Sequence, residues 1–263
     1  VTEKGKGEGP DGGGHPLKGI VSGEPRDPAG FLLKALGATD PRQKRSFAEQ
    51  GLHALDREND DLEMYGLLLR QIYLADIEEG HDEDALQIAS ELIDLGTLGE
   101  VARQDAARAA LAARDVSTAI GHLRIAARVC PPGRRAFHYG HLGALLRFDG
   151  QADQAEDAFA KALQWATEHR KLYEAQQALA QAQAGKSVTG LTELREALED
   201  DERLPVYALW ILGELCLLLG EIADGRQYLE QFLARQKGVS RAKSLALQGE
   251  IAHATALLER LSA

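Results

Sequence analysis

Tyr139-Gly140-His141-Leu142-Gly143-Ala144-Leu145-Leu146, followed by Gly150, Ala155, Phe159 and Ala162-Leu163, reads as an apolar helix carrying glycines, a turn glycine, and a second helix. Leu142, Leu145 and Leu146 recur at the three- and four-residue spacing that puts side chains on one helix face. Gly143 and Ala155 are small, and small residues are what a close helix crossing requires.

Outward from Ala155 the small residue returns at Ala119 and Ala85 upstream and at Gly190 and Gly225 downstream, with spacings of 34, 36, 35 and 35. Companion residues return with it: Gly80 before Ala85, Leu123 and Ala126 after Ala119, Leu194 after Gly190, and Gly213, Gly220 and Leu229 around Gly225. A fixed period of this length is the signature of a repeat architecture. Tyr73 and Asp76 stand where small and apolar residues are expected in the first unit, and Arg114 replaces the turn glycine of the second.

The unit closely resembles the tetratricopeptide repeat. In that family the residues matching Gly143 and Ala155 let the paired helices approach, while those matching Leu142, Leu146 and Phe159 fill the space between them. The resemblance implies an all-α fold: a right-handed superhelical solenoid of antiparallel helix pairs. Five units are predicted over residues 66–239, preceded by a degenerate helix pair over 31–65. Residues 240–263 are expected to form a C-terminal capping helix with Ser240 as N-cap and Leu245, Ile251, Ala254, Leu258 and Leu261 on one face, because the last repeat would otherwise expose its stacking surface.

The rest of the chain agrees with helix. Ala, Leu, Glu, Gln and Arg dominate, aromatics are 5%, and no stretch alternates apolar and polar residues as a half-buried strand does. Residues 1–30 hold nine of the 27 glycines and four of the eight prolines, so they are expected to be a disordered tail that cannot offset its ordering entropy by burial. The formal net charge of −11 opposes the phosphates of nucleic acid, and no Lys/Arg stripe collects. The longest apolar run, Ala208 to Leu219, is broken by Gly213 and Glu214, so no membrane span is expected. Cys130 and Cys216 read as buried free thiols in a reducing cytoplasm.

Motifs that carry chemistry are few. Gly185-Lys186-Ser187 lacks the first glycine of a phosphate loop, since Ala180 stands there, and reads as a turn. His122, His138 and His141 could suggest a metal site, but no carboxylate is placed to orient their rings, and partly exposed helix flanks are the expected setting. Glu78, Glu79, Asp82, Glu83 and Asp84 flank Gly80 without the spacing of a calcium loop, and Glu199-Asp200-Asp201-Glu202 reads as a solvated turn. No nucleophile stands with a base and an orienting group, so neither an enzyme nor a metal or other cofactor is expected.

By the same resemblance the first helix of each unit lines a concave face. The register of the third unit puts Phe137, Gly140, Ala144 and Arg147 there, with Arg70, Arg108, Tyr207 and Trp210 at corresponding places in the other units. Arg70, Arg108 and Arg147 suit a carboxylate, and Phe137, Tyr207 and Trp210 suit an anchor. The expected function is a protein-protein interaction module, an adaptor or scaffold, that binds a peptide or protein with an acidic or carboxylate-bearing segment. The alternative is a regulatory domain that senses a small molecule.

Overall fold

The computed structural model describes residues 27–55, 61–201, 203 and 205–262. The expected tail, residues 1–30, lies almost wholly outside them. The first helices are α1 (Pro28–Gly37) and α2 (Pro41–Ala54). Five pairs follow: α3 (Leu62–Glu79) with α4 (Asp82–Leu95), α5 (Gly99–Ala112) with α6 (Val116–Val129), α7 (Arg135–Phe148) with α8 (Ala152–Trp165), α9 (Arg170–Gln183) with α10 (Leu191–Glu199), and α11 (Ala208–Leu218) with α12 (Ile222–Gln236). The chain then runs into α13 (Arg241–Ala246) and α14 (Gln248–Arg260). No strand occurs among the described residues, and consecutive helices pack on one another from α1 to α12.

The boundaries follow from capping chemistry. The side chains of Asp40, Asp61, Asp115 and Ser240 accept backbone N–H groups at the starts of α2, α3, α6 and α13. Left-handed Gly80 and Gly96 close α3 and α4. Arg114 takes the same left-handed place after α5, at φ 61°, where an L side chain crowds its own backbone.

Pairing is close where small residues meet. A Cβ on Gly143 would lie 2.8 Å from the Phe159 ring, so glycine lets α7 and α8 cross at this depth. Ala85, Ala119 and Ala155, each the fourth residue of its helix, are fully buried. Gly225 holds that place in α12, against the backbone of Gly213. The fourth pair departs from this pattern. Gly190 is the left-handed N-cap of α10, and Leu194 is the fourth residue of that helix. The connection from Ala184 to Gly190 is longer than the turn at Asp149, Gly150 and Gln151, and this shifts the register while the overall spacing is kept.

The first unit absorbs its large residues. Tyr73 is fully buried and its hydroxyl donates to the Asp105 carbonyl oxygen at 2.7 Å, while Asp76 is buried against the Arg45 guanidinium.

The C-terminal segment does more than cap. α14 packs on α12, as a cap should, but it also touches α7, and α13 touches α3 and α5. Leu247, at φ −116°, interrupts the expected single helix. The interruption sends Leu245 into the cluster of Leu69, Tyr73 and Ala106, while Ile251, Ala254 and Leu258 join the cluster around Trp210 and Phe232. Glu78 accepts the backbone N–H groups of Arg241 and Ala242 at 2.8 and 3.2 Å, and Gln248 donates to the Leu111 carbonyl. The acidic turn around Gly80 is therefore the receptacle for the start of α13.

Candidate functional site

The face formed by α3, α5, α7, α9 and α11 carries the six residues expected to bind a partner, and α13 and α14 lie against it. The six fall into three groups with different surroundings.

Arg70 and Arg108 converge on Asp105 of α5. Arg70 Nε donates to Oδ2 at 2.5 Å and Arg108 Nη1 donates to Oδ1 at 2.9 Å, and the carboxylate is almost wholly buried. Two guanidinium groups share one carboxylate, so a single excess positive charge is left at this end of the face.

Arg147 and Trp210 were expected at the surface of the groove and are buried instead, at 4% and 1% exposure. Arg147 Nη2 donates to Glu214, its Nε donates to Gln183 at 3.1 Å, and its guanidinium lies 4.9 Å from the centre of the Trp210 ring. His253 of α14 closes the set, with Nε2 2.5 Å from Glu214 Oε1. Burial would raise the Glu214 carboxyl, but Arg147 and His253 outweigh it and hold the group below its ordinary value. A polar cluster with this burial fixes α7, α11 and α14 to one another.

Phe137 and Tyr207 form the third group, and they line a cavity of about 210 Å³. Gln104, His141, Tyr173 and Gln176 line it from α5, α7 and α9, and Ala246, Leu247 and Glu250 close it from the C-terminal segment. Gly140 makes room for it. A Cβ there would stand 2.6 Å from the Tyr173 ring, so any larger residue would push that ring out of the wall.

The cavity's ionisable groups are shifted toward their neutral forms. Burial, with help from the Glu214 carboxylate, outweighs a backbone N–H and Arg147 and pushes the Glu250 carboxyl up to about 7. Burial, with Arg108 and His138 nearby, lowers the His141 ring to about 4. Burial raises the phenol of Tyr207, and Tyr173 and Glu250 add to the shift, so the three groups sense one another across the space.

No protein-family model matches this chain, and no curated protein matches it.

The histidines part company. His138 is fully buried with neither ring nitrogen bonded, contrary to the exposed flank expected for it, and His122 Nδ1 lies 3.5 Å from Arg103. Among the described residues, Asp76, His81 and Asp84 bring three ligand-type atoms together, but Arg45 occupies Asp76 as a salt-bridge partner. Lys186, in the turn after α9, pairs with Asp153 and Glu156 at 2.7 and 2.6 Å. Cys130 and Cys216 are free and buried. No helix among the described residues is long and apolar enough to cross a membrane.

Tyr173, Gln176 and Glu250 were not among the residues expected to bind. On α9 the register of the third unit gives Leu172 and Leu179 to the expected face, and Tyr173 and Gln176 lie between them, one turn apart, beside that face. Glu250 carries no such signal, because the polar side of a capping helix is expected to face water.

Proposed function

We propose that the chain is a protein-interaction module, an adaptor or scaffold of tetratricopeptide type, in which a right-handed superhelix of helix pairs takes a helical segment of a partner on its concave face. The observation that carries this reading is the seat of α13 and α14. An amphipathic segment already lies across the first helices, with Leu245 in one apolar cluster, Ile251 and Ala254 in another, and polar anchors at Glu78, Asp82 and Glu214. This is helix-in-groove recognition performed within one chain. Because Arg70, Arg108 and Arg147 are already paired, the reading moves away from an acidic partner segment. It favours a basic residue entering where Arg241 sits. The two free, buried cysteines support a reducing, cytoplasmic setting.

A labelled peptide of residues 240–262 tests this on the full chain. The Arg241→Glu variant, with its own segment loosened, captures the peptide, and the parent captures it much less. Absence of capture by the folded variant would sink the reading.

A second reading, a small-molecule-sensing domain, is favoured by the cavity. A space walled by rings and amides and closed by Ala246, Leu247 and Glu250 has the chemistry of a ligand pocket. A ligand in it would touch both the repeat array and the C-terminal segment.

A further inference from the structure

The cavity beneath Leu247 is lined by one carboxyl, that of Glu250, and by no Lys or Arg. Two cationic side chains lie near without lining it: Arg147 pairs with Glu214, and Arg108 shares Asp105 with Arg70. Glu250 is only 7% exposed, so water does little to solvate its charge. A carboxyl in that setting is unfavourable as an anion until a cation reaches it.

The remaining walls suit a cation better than any other class. Phe137, Tyr173 and Tyr207 bring aromatic rings to the lining, a residue type whose quadrupole attracts positive charge, and Gln104 and Gln176 with the two tyrosines bring side chains that carry acceptor oxygens. The His141 ring is neutral and cannot repel a cation. An anion would meet Glu250, and no Lys or Arg lines the cavity to compensate it. A neutral ligand would leave the carboxyl as costly to ionise as before.

We propose that this cavity binds a small organic ammonium compound, with the charged nitrogen paired to Glu250 and the apolar body held against Phe137, Tyr173 and Tyr207. The inference rests on the small-molecule reading above and adds the chemistry of the ligand. Ala246, Leu247 and Glu250 belong to the same segment that Arg241 ties to the first pair. Occupation of the cavity therefore holds that segment in place.

The test uses the purified full chain and three probes of one size and shape: 2-phenylethylamine, 2-phenylethanol and phenylacetate. Each is titrated by calorimetry and by thermal unfolding. The amine is expected to bind and stabilise, and the alcohol and the acid are not. Glu250→Gln is expected to keep its fold and weaken the amine by about tenfold or more, the cost of losing one charge-assisted hydrogen bond. Ala246→Trp, which fills the space from the C-terminal side, is expected to abolish binding. Equal binding of the alcohol or the acid, lost in Ala246→Trp but kept in Glu250→Gln, overturns the ammonium inference and leaves the small-molecule reading standing. Failure of all three probes to bind the parent overturns both. The comparison of probes on the parent stands even where a variant does not fold.

Discussion

Arg241 grips Asp82 with two parallel hydrogen bonds, Nη1 to Oδ1 at 2.7 Å and Nη2 to Oδ2 at 2.8 Å, and the same Nη1 also donates to the Ile77 carbonyl at 2.7 Å. The cation thus sits at the carbonyl end of α3, where the helix dipole favours it, and its carboxylate partner sits at the N-terminal start of α4, where the dipole favours an anion. Replacing Arg241 with Ala is expected to cost about 1.5–3 kcal/mol, the range for hydrogen bonds to charged groups. Hydrogen exchange should quicken across residues 241–247 while α7 and α8 keep their protection. Unchanged exchange in that segment would show that Glu78 and Leu245 hold α13 without the guanidinium.

Arg114 stands in a left-handed turn where other units place glycine. Arg114→Gly is expected to stabilise the chain by about 1 kcal/mol, since the left-handed region penalises an L side chain by roughly that amount. Denaturant titration measures it. A loss of stability would mean that the arginine side chain makes a contact worth more than the strain.

The buried cluster of Arg147, Glu214 and His253 behaves as one unit. Glu214→Ala is expected to destabilise by about 3–5 kcal/mol, because it leaves the Arg147 guanidinium buried and unpaired. Trp210→Ala is expected to cost a similar amount, about 3–5 kcal/mol, through lost packing. Chemical unfolding of both variants checks this. If Trp210→Ala keeps parental stability, its ring is not part of the core and the groove reading of that residue revives.

Glu250 sets a pH dependence whose sign is fixed. Its carboxyl is raised to about 7 from an ordinary 4.5, so in between the folded chain holds a proton that the unfolded chain has released. This group's contribution to stability is full below about 4.5 and is lost as pH rises through 7. Glu250→Gln removes the loss, and relative to the parent it should gain on the order of 2 kcal/mol between pH 5 and pH 8. The His138 and His141 rings act in the opposite direction. Both are lowered to about 4 from 6.5, so their contribution is full above 6.5 and is lost as pH falls through 4. Unfolding curves at a series of pH values for parent and variant separate the two effects.

Much of the array was legible because close helix crossings restrict residue choice. Ala85, Ala119, Ala155 and Gly225 could be placed by spacing alone, and each lies at a crossing. Gly190 was misplaced because a longer turn and a shorter helix cancel in the count. The binding residues were harder to read, since helical register gives the direction of a side chain but not what lies opposite it. Arg147 does point toward the chosen face, but Glu214 meets it there. The C-terminal segment hid its role for the same reason. Its apolar spacing fits a cap, and nothing in that spacing shows that Leu245 and Ile251 serve different clusters across a break at Leu247.

The tie between α13 and the first pair changes how the chain must fold. In an open solenoid each repeat touches only its neighbours, contact order stays low, and unfolding can fray inward from either end. Here the bonds from Arg241 and Ala242 to Ile77, Glu78 and Asp82 join residues 159 to 164 positions apart. Closing so long a loop adds an entropic barrier that nearest-neighbour growth does not meet, although each doubling of length adds only about 0.6 kcal/mol. Once closed, the pair α3 and α4 cannot part from the C-terminal segment without breaking these bonds, so the stretch from α3 onward resists fraying as one body, while α1 and α2 stand outside the tie.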